Sequence, residues 1–424
     1  MESVEHLFRH EAGRMVAALT RVFGIHNLAL AEDVVQDALC RALEVWKFGG
    51  LPENPSAWLM ATAKNRALDV LRREGTANTF APELGRLLET EWTLAPVVAE
   101  LFSAKGLKDE QLRMVFSCCH PRLREPAQIA LVLNILCGFA TSEIAAAFFS
   151  TEAAVNKRLE RAKRVLAVSK NLFDLANAER LAERLPAVLR GLYLLFNEGY
   201  HGACAESAVR VELCREAMRL SSLLLDHPLT ATPKTYALAA MMCLHAARLP
   251  ARVDELGHLT AFFDQDRTLW DSKLIAEGRR LLDLSASGPD LTEYHLEAAI
   301  ALIHAEAASV EETDWVRIVS LYDTLMAIRP SPVVALNRAI AIAQQEGPNR
   351  GLEEILAIEG SDQLHAYPFY SGALGELELR RGNTAAAQTH FQSALALARN
   401  AMERHFMEQR VSAVEVERSR QPKA

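Results

Sequence analysis

Asn54 to Glu74 reads NPSAWLMATAKNRALDVLRRE, and the fold turns on why one helix should carry such a face. Asn54 can cap a helix, and Pro55 suits the first helical position, where no N–H is needed. Leu59, Ala63, Ala67 and Val70 follow at helical spacing and are expected to face a core. A second face carries Asn65, Asp69 and Arg72, with Lys64, Arg66 and Arg73 beside them and Trp58 near the start. An aromatic ring, an amide, a carboxylate and several cations therefore lie where solvent, or a ligand, can reach them.

Upstream, Ala31–Trp46 (AEDVVQDALCRALEVW) has apolar side chains at 31, 34, 35, 38, 39, 42, 43 and 46, which predicts an amphipathic helix. Its outer face shows Asp33, Gln36, Asp37 and Arg41, either a solvated surface or a contact surface. Lys47 to Glu53 (KFGGLPE) reads as a loop. From Gly75 to about Lys105 the periodicity weakens while Glu83, Glu89 and Glu91 accumulate, which marks a linker.

A second distinctive stretch is Ala140–Leu166, ATSEIAAAFFSTEAAVNKRLERAKRVL. Thr141 can cap a short helix with Ile144, Ala145 and Phe148 inward, and Ser150 or Thr151 can cap the next. In that next helix Val155, Leu159, Ala162 and Leu166 face inward, leaving Lys157, Arg158, Arg161 and Arg164 outside, flanked by Asn156 and Lys163. A short helix, a tight turn and a cationic helix make a helix-turn-helix, whose second helix enters the major groove. A plain arginine-rich surface helix is the alternative.

After about residue 175 the chain becomes Ala/Leu-rich helices in pairs. Leu321, Leu356 and Phe391 recur at one spacing, as do His304, Ala339 and Leu374, Ala335 and Tyr370, and Gly347 and Gly382. A period near 34 residues on helix pairs is the tetratricopeptide pattern, clearest over 295–410.

Composition narrows the classes. Half of the 424 residues are hydrophobic and 24% charged, as in a chain with well-buried cores. Residues 1–174 hold 21 basic and 21 acidic side chains; the other 25 basic and 33 acidic carry the whole net charge of −8. An overall acidic balance therefore does not argue against nucleic acid at the N-terminal part. Seven cysteines without a C-x-x-C pair suggest reduced thiols and a cytoplasmic location. The charged start MESVEHLFRHE has no apolar core, so neither a signal peptide nor a membrane span is expected. Cys118-Cys119-His120-Pro121 reads as buried small side chains rather than a metal site, since adjacent cysteines rarely share one tetrahedral ion. Phe196–Tyr200 (FNEGY) with His201 reads as structural. No phosphate loop, zinc-protease helix or nucleophile elbow is present, so no cofactor, metal or enzymatic activity is expected.

The two helices in this order resemble the bacterial extracytoplasmic-function sigma factors, over about residues 1–170. AEDVVQDALCRALEVW is similar to the polymerase-clamp helix of region two, and NPSAWLMATAKNRALDVLRRE to the segment that melts and reads the minus-ten element. Glu143-Ile144-Ala145, then Val155, Arg158-Leu159 and Arg161-Ala162, match the region-four pattern without gaps; Phe149 stands at the usual turn glycine and Ala153-Ala154 at the usual Gly-Thr. CCHP and the long extension resemble the subgroup with a tetratricopeptide-like domain. The resemblance implies an all-α protein with region two at 1–76, an acidic linker at 77–107, region four at 108–172 and the extension at 175–424. It implies core RNA polymerase as a partner of Asp33, Gln36, Asp37 and Arg41. It implies promoter DNA as the partner of Trp58, Lys64, Asn65, Arg66, Asp69, Arg72 and Arg73, and of Asn156, Lys157, Arg158, Arg161 and Arg164. Trp58 would stack at the edge of the melted duplex, Asn65 and Asp69 would read base edges, and the cations would neutralise phosphate. The extension's concave face suits a protein or peptide. A polymerase-independent helix-turn-helix regulator with a sensing repeat domain is the competing reading, and a scaffold with incidental basic helices a third.

Overall fold

A computed structural model describes residues 4–73, 99–147, 150–168, 173–201, 209–254 and 256–420. The linker expected at 77–107 lies outside these up to residue 98, as do Phe148 and Phe149 at the expected turn. Among the described residues the regular elements are helical, with one isolated bridge between Val253 and Leu259. The all-α expectation holds. No described helix is long and apolar enough to cross a membrane. The chain divides into two compact units, Met1–Leu195 with Ser222–Thr230, and Phe196–Ser221 with Ala231–Ala424.

The first unit is built around α1 (Val4–Phe23). Met15 to Leu19, Val22 and Phe23 are buried, and so are the polar Glu11 and Thr20 on the same helix. Such a helix is enclosed on every side rather than on one stripe. Around it pack α2 (Leu28–Gly49), α3 (Pro55–Arg73), α4 (Ala104–Cys118) and the π turn Val132–Leu136 that continues α5 (Glu125–Leu131). The two buried polar groups are satisfied locally. Thr20 Oγ1 donates to the Val16 carbonyl at 2.7 Å, and Arg14 donates to Glu11 at 2.8 Å. Burial raises the Glu11 pKa, but the His10 hydrogen bond and the Arg14 charge outweigh it, so the carboxyl stays below its usual range. Then follow α6 (Thr141–Ala147), α7 (Glu152–Val168) and α8 (Ala178–His201), which belongs to this unit as far as Leu195.

Two of the three expected caps form; Thr141 instead lies inside α6 as its first residue, with Ala140 before it, and its hydroxyl donates to Glu152. Asn54 Oδ1 accepts from Ala57 N at 3.0 Å, and Thr151, rather than Ser150, accepts from Ala154 N at 3.2 Å. Leu59, Ala63 and Ala67 are fully buried, but Val70 is only half-buried, whereas Leu68 on another face is buried. On α2 the expectation fails at Leu43, which is 58% exposed although Ala42 and Trp46 on the same stretch are buried.

In the second unit α9 (Val211–Leu225, as far as Ser221), α10 (Pro233–Ala246), α11 (Leu249–Arg252), α12 (Ser272–Ser285) and α13 (Glu293–Glu306) precede a chain of successive helices. These are α14 (Trp315–Ile328), α15 (Pro332–Glu346), α16 (Pro348–Leu356), α17 (Pro368–Arg380), α18 (Thr384–Ala396) and α19 (Ala401–Arg420), each packed on the next. Gly347 and Gly382 share their spacing and both take positive φ, 97° and 84°, where L side chains are strained. Phe391 is buried, whereas Leu356 is 72% exposed, because the nine-residue α16 ends before it can be covered. The CCHP cysteines are buried in the first unit, and burial pushes Cys119 up to about 12, as for an inert thiol.

A Cβ on Gly13 of α1 would run into the carbonyl of Leu136 in the π turn. Gly13→Ala should therefore lower stability by about 1–3 kcal/mol, as overpacking does. An unchanged urea midpoint would show that the two segments do not hold this spacing.

Candidate nucleic-acid interface

The outer stripe of α2 stands as the spacing implies: Asp33, Gln36, Asp37 and Arg41 are all exposed. Beside it α3 presents Asn65 and Asp69 exposed, with Lys64 half-buried. Arg72 and Arg73 end α3, and their side chains lie outside the described residues. Arg66 does not point out alone. Its Nε donates to Asp37 at 2.9 Å, joining the face expected to meet DNA to the face expected to meet polymerase. With 39% and 57% of the side chains exposed, this pair contributes little to stability and can be exchanged for a phosphate.

Trp58 is half-buried and meets Trp46 edge-on, ring centroids 5.4 Å apart. Trp46 in turn leans on Phe8 at 5.4 Å. One side of the Trp58 ring is thereby held in place while part remains accessible, a supported stacking platform.

α7 buries Val155, Leu159, Ala162 and Leu166 and turns Asn156, Lys157, Arg161 and Arg164 outward; Arg158 is half-buried. Thr141 of α6 donates to Glu152 of α7 at 3.0 Å, tying the two helices together. Lys163 reaches across to Glu32 of α2 at 2.6 Å, and Arg9 of α1 to Glu143 of α6 at 2.9 Å. Between these pairs opens a cleft of about 640 Å³ whose lining includes Gln36 and Asn156. The structure thus brings the α2 and α7 faces to one cleft.

Sequence reasoning missed two features. The pairs Lys163–Glu32 and Arg9–Glu143 join residues more than 130 positions apart and leave no local trace. The other is an exposed apolar patch at the end of α2 and in the loop beyond: Leu43, Val45, Phe48 and Leu51, with Phe48 88% exposed. The aperiodic run VWKFGGL was its only signal. No group of three or more His, Cys, Asp or Glu able to hold a metal occurs among the described residues.

Comparison with known proteins fits this arrangement. Residues 7–76 match the model of sigma-70 region 2, which supports a sigma-factor role and implies binding to core RNA polymerase and promoter DNA. Sigma factors are transcription factors, not enzymes. Residues 184–286 match a family of unknown function, DUF6596. An uncharacterised protein of Rhizobium meliloti (strain 1021) is 38% identical over 392 residues, covering 92% of this chain and 91% of its own length, and the chain belongs to the same family. No solved structure matches.

Lys163→Ala and Glu32→Ala should each cost about 0.5–1 kcal/mol, and the double variant no more than either, because both remove one half-buried pair. Losses that add would show that the two side chains act separately.

Proposed function

We propose that the chain is an extracytoplasmic-function sigma factor of the subgroup with a tetratricopeptide-like extension, acting in the cytoplasm. The observation that carries this is a region-2 match together with the bonded helices α6 and α7, the second with a cationic outer face, within one compact unit. A repressor needs only the second of these. Residues 1–76 then serve as region two and 108–172 as region four, joined by the acidic segment 77–107.

The roles are those the family resemblance implies, and the exposed faces support them. Asp33, Gln36, Asp37 and Arg41 meet the polymerase, and the apolar patch at Phe48 adds area beside them, as exposed apolar clusters do at contact surfaces. On α3 Trp58 stacks at the fork of the opening duplex and Asn65 and Asp69 read unstacked bases, while Lys64, Arg66, Arg72 and Arg73 neutralise phosphate. On α7 Asn156, Lys157, Arg158, Arg161 and Arg164 read the minus-thirty-five element. The extension, 175–424, supports activity and takes a partner of its own through repeats clearest in 295–410. Residues Ser222–Thr230 help to complete the first unit, which makes an extension that merely shields DNA-reading helices the weaker reading.

Reconstitution with core polymerase tests the proposal: promoter-specific transcripts are expected, whereas DNA binding that core polymerase neither requires nor changes would favour the polymerase-independent regulator. Arg158→Ala or Arg161→Ala should weaken minus-thirty-five binding by about 1–3 kcal/mol and relax base preference there if the arginines read bases. A loss that is uniform across sequences, with a shallower salt slope, would assign them to phosphate. Trp58→Ala should leave polymerase binding intact yet impair opening of a duplex promoter, and a pre-melted template should restore transcription. A folded variant that fails on both templates would reduce Trp58 to a packing residue.

A further inference from the structure

The second unit contains a cationic cluster, Arg248 buried and Arg252 half-buried, that forms no ion pair with a described carboxylate. Arg248, 8% exposed, lies just before α11, and Arg252 ends that helix. The Arg248 guanidinium sits 4.2 Å over the Phe262 ring and 5.3 Å from Trp270; that of Arg252 sits 4.1 Å over Tyr200. Tyr200 packs against His201 and His245, at 4.7 and 5.1 Å, and Phe262 against His304 at 4.8 Å. Neither Arg248 nor Arg252 forms an ion pair with a described carboxylate. Arg248 has one described acceptor, the Gln265 Oε1, shared by its Nε at 3.4 Å and a terminal nitrogen at 3.2 Å. Among the described carboxylates of this region Asp264 is engaged with Arg410, Glu403 with Arg399, and Asp266 and Asp271 in capping, while Glu198 lies near Arg399.

Unused hydrogen-bonding atoms gather in the same place. Trp270 Nε1, Tyr200 Oη, Arg252 Nε and the Nδ1 atoms of His245 and His304 are buried and have no hydrogen-bond partner among the described residues. Trp270 and Tyr200 are only 6% and 2% exposed. Buried polar atoms are nearly always paired, and buried charges nearly always compensated. Here several buried polar atoms of one region lack a described partner, and the buried Arg248 has only the Gln265 oxygen. The local field is strong: burial, with the Arg248 charge, pushes His245 and His304 down to about 3, so both rings are neutral at ordinary pH. A tautomer carrying its proton on Nδ1 would make each a further donor.

We infer that this cluster is the binding site of a small anionic molecule, whose carboxylate or phosphate group is held by Arg248, Arg252 and the Trp270 and Tyr200 donors. Guanidinium groups offer oxyanions parallel N–H groups, and stacking on aromatic rings leaves free the edges that Gln265 does not already occupy. The enclosure by Tyr200, Phe262 and Trp270 favours a small molecule over an extended chain. The assignment stands whether or not the first unit directs polymerase.

Thermal unfolding and calorimetric titration of the full chain, with inorganic phosphate and with benzoate against chloride at matched ionic strength, test it. One of the two anions should raise the melting temperature saturably, as binding to the native state requires. Arg252→Gln should weaken that binding at least tenfold. Trp270→Phe, which keeps the bulk and removes only the unpartnered N–H, should weaken it about threefold while melting normally in chloride. Absence of a saturable shift with either anion, or a shift that both variants leave unchanged, would overturn the site. A response to a peptide carboxyl terminus alone would replace it with a groove for a chain end.

Discussion

The first unit depends on one helix having no outside. α1 is buried around its circumference, and at Gly13 it comes so close to the backbone of the π turn Val132–Leu136 that a side chain has no room. The π turn is held by its own bonds: Cys137 N donates to the Val132 carbonyl and Phe139 N to that of Leu133, while Asn134 Nδ2 donates to the carbonyl of Phe139. Gly138, at positive φ, then brings the chain against Arg9. A helix inside the region-2 match is thus packed by segments far beyond it.

That packing explains which parts of the fold were legible in the sequence. Periodicity and caps report on a helix and its own ends, so α3, α6 and α7 were readable, down to Asn54 and one of two candidate caps for α7. They say which face is apolar, not what covers it. Leu43 had the right spacing and is still exposed, and Val70 is less buried than Leu68 on another face. Leu356 kept its place in a 35-residue register and still faces solvent, since register does not measure helix length. The outward stripes at Asp33–Arg41 and on α7 were legible because nothing covers them. The pairing of Arg66 with Asp37 was not, because ion pairs between helices follow from packing. Likewise FNEGY and His201 looked merely structural; only the fold sets Tyr200 and His201 beside arginines from another segment.

The charged faces therefore lead a double existence. Asp37 holds Arg66 and Glu32 holds Lys163, so cations suited to phosphate are already matched within the protein. A side chain cannot hold a carboxylate and a phosphate with the same N–H group. Any DNA complex using these cations must exchange one partner for the other, and the modest strength of such pairs makes that exchange inexpensive. It also leaves carboxylates on α2 without cations, which alters the charge that a protein docked there would meet.

The nine residues from Ser222 to Thr230, which belong to the first unit, bear on how the protein is made. Lys108 is paired with Asp226 at 2.6 Å across 118 positions. On the ribosome, α1 emerges first and waits for α4 and the π turn, then for residues that appear only after synthesis has passed position 225. Contacts of such long sequence separation close slowly. A chain released before position 230 would carry both α6 and α7 and still lack part of the unit to which they belong. The length of the polypeptide thus acts as a timer, and the nascent N-terminal half is completed only once its successor is under way.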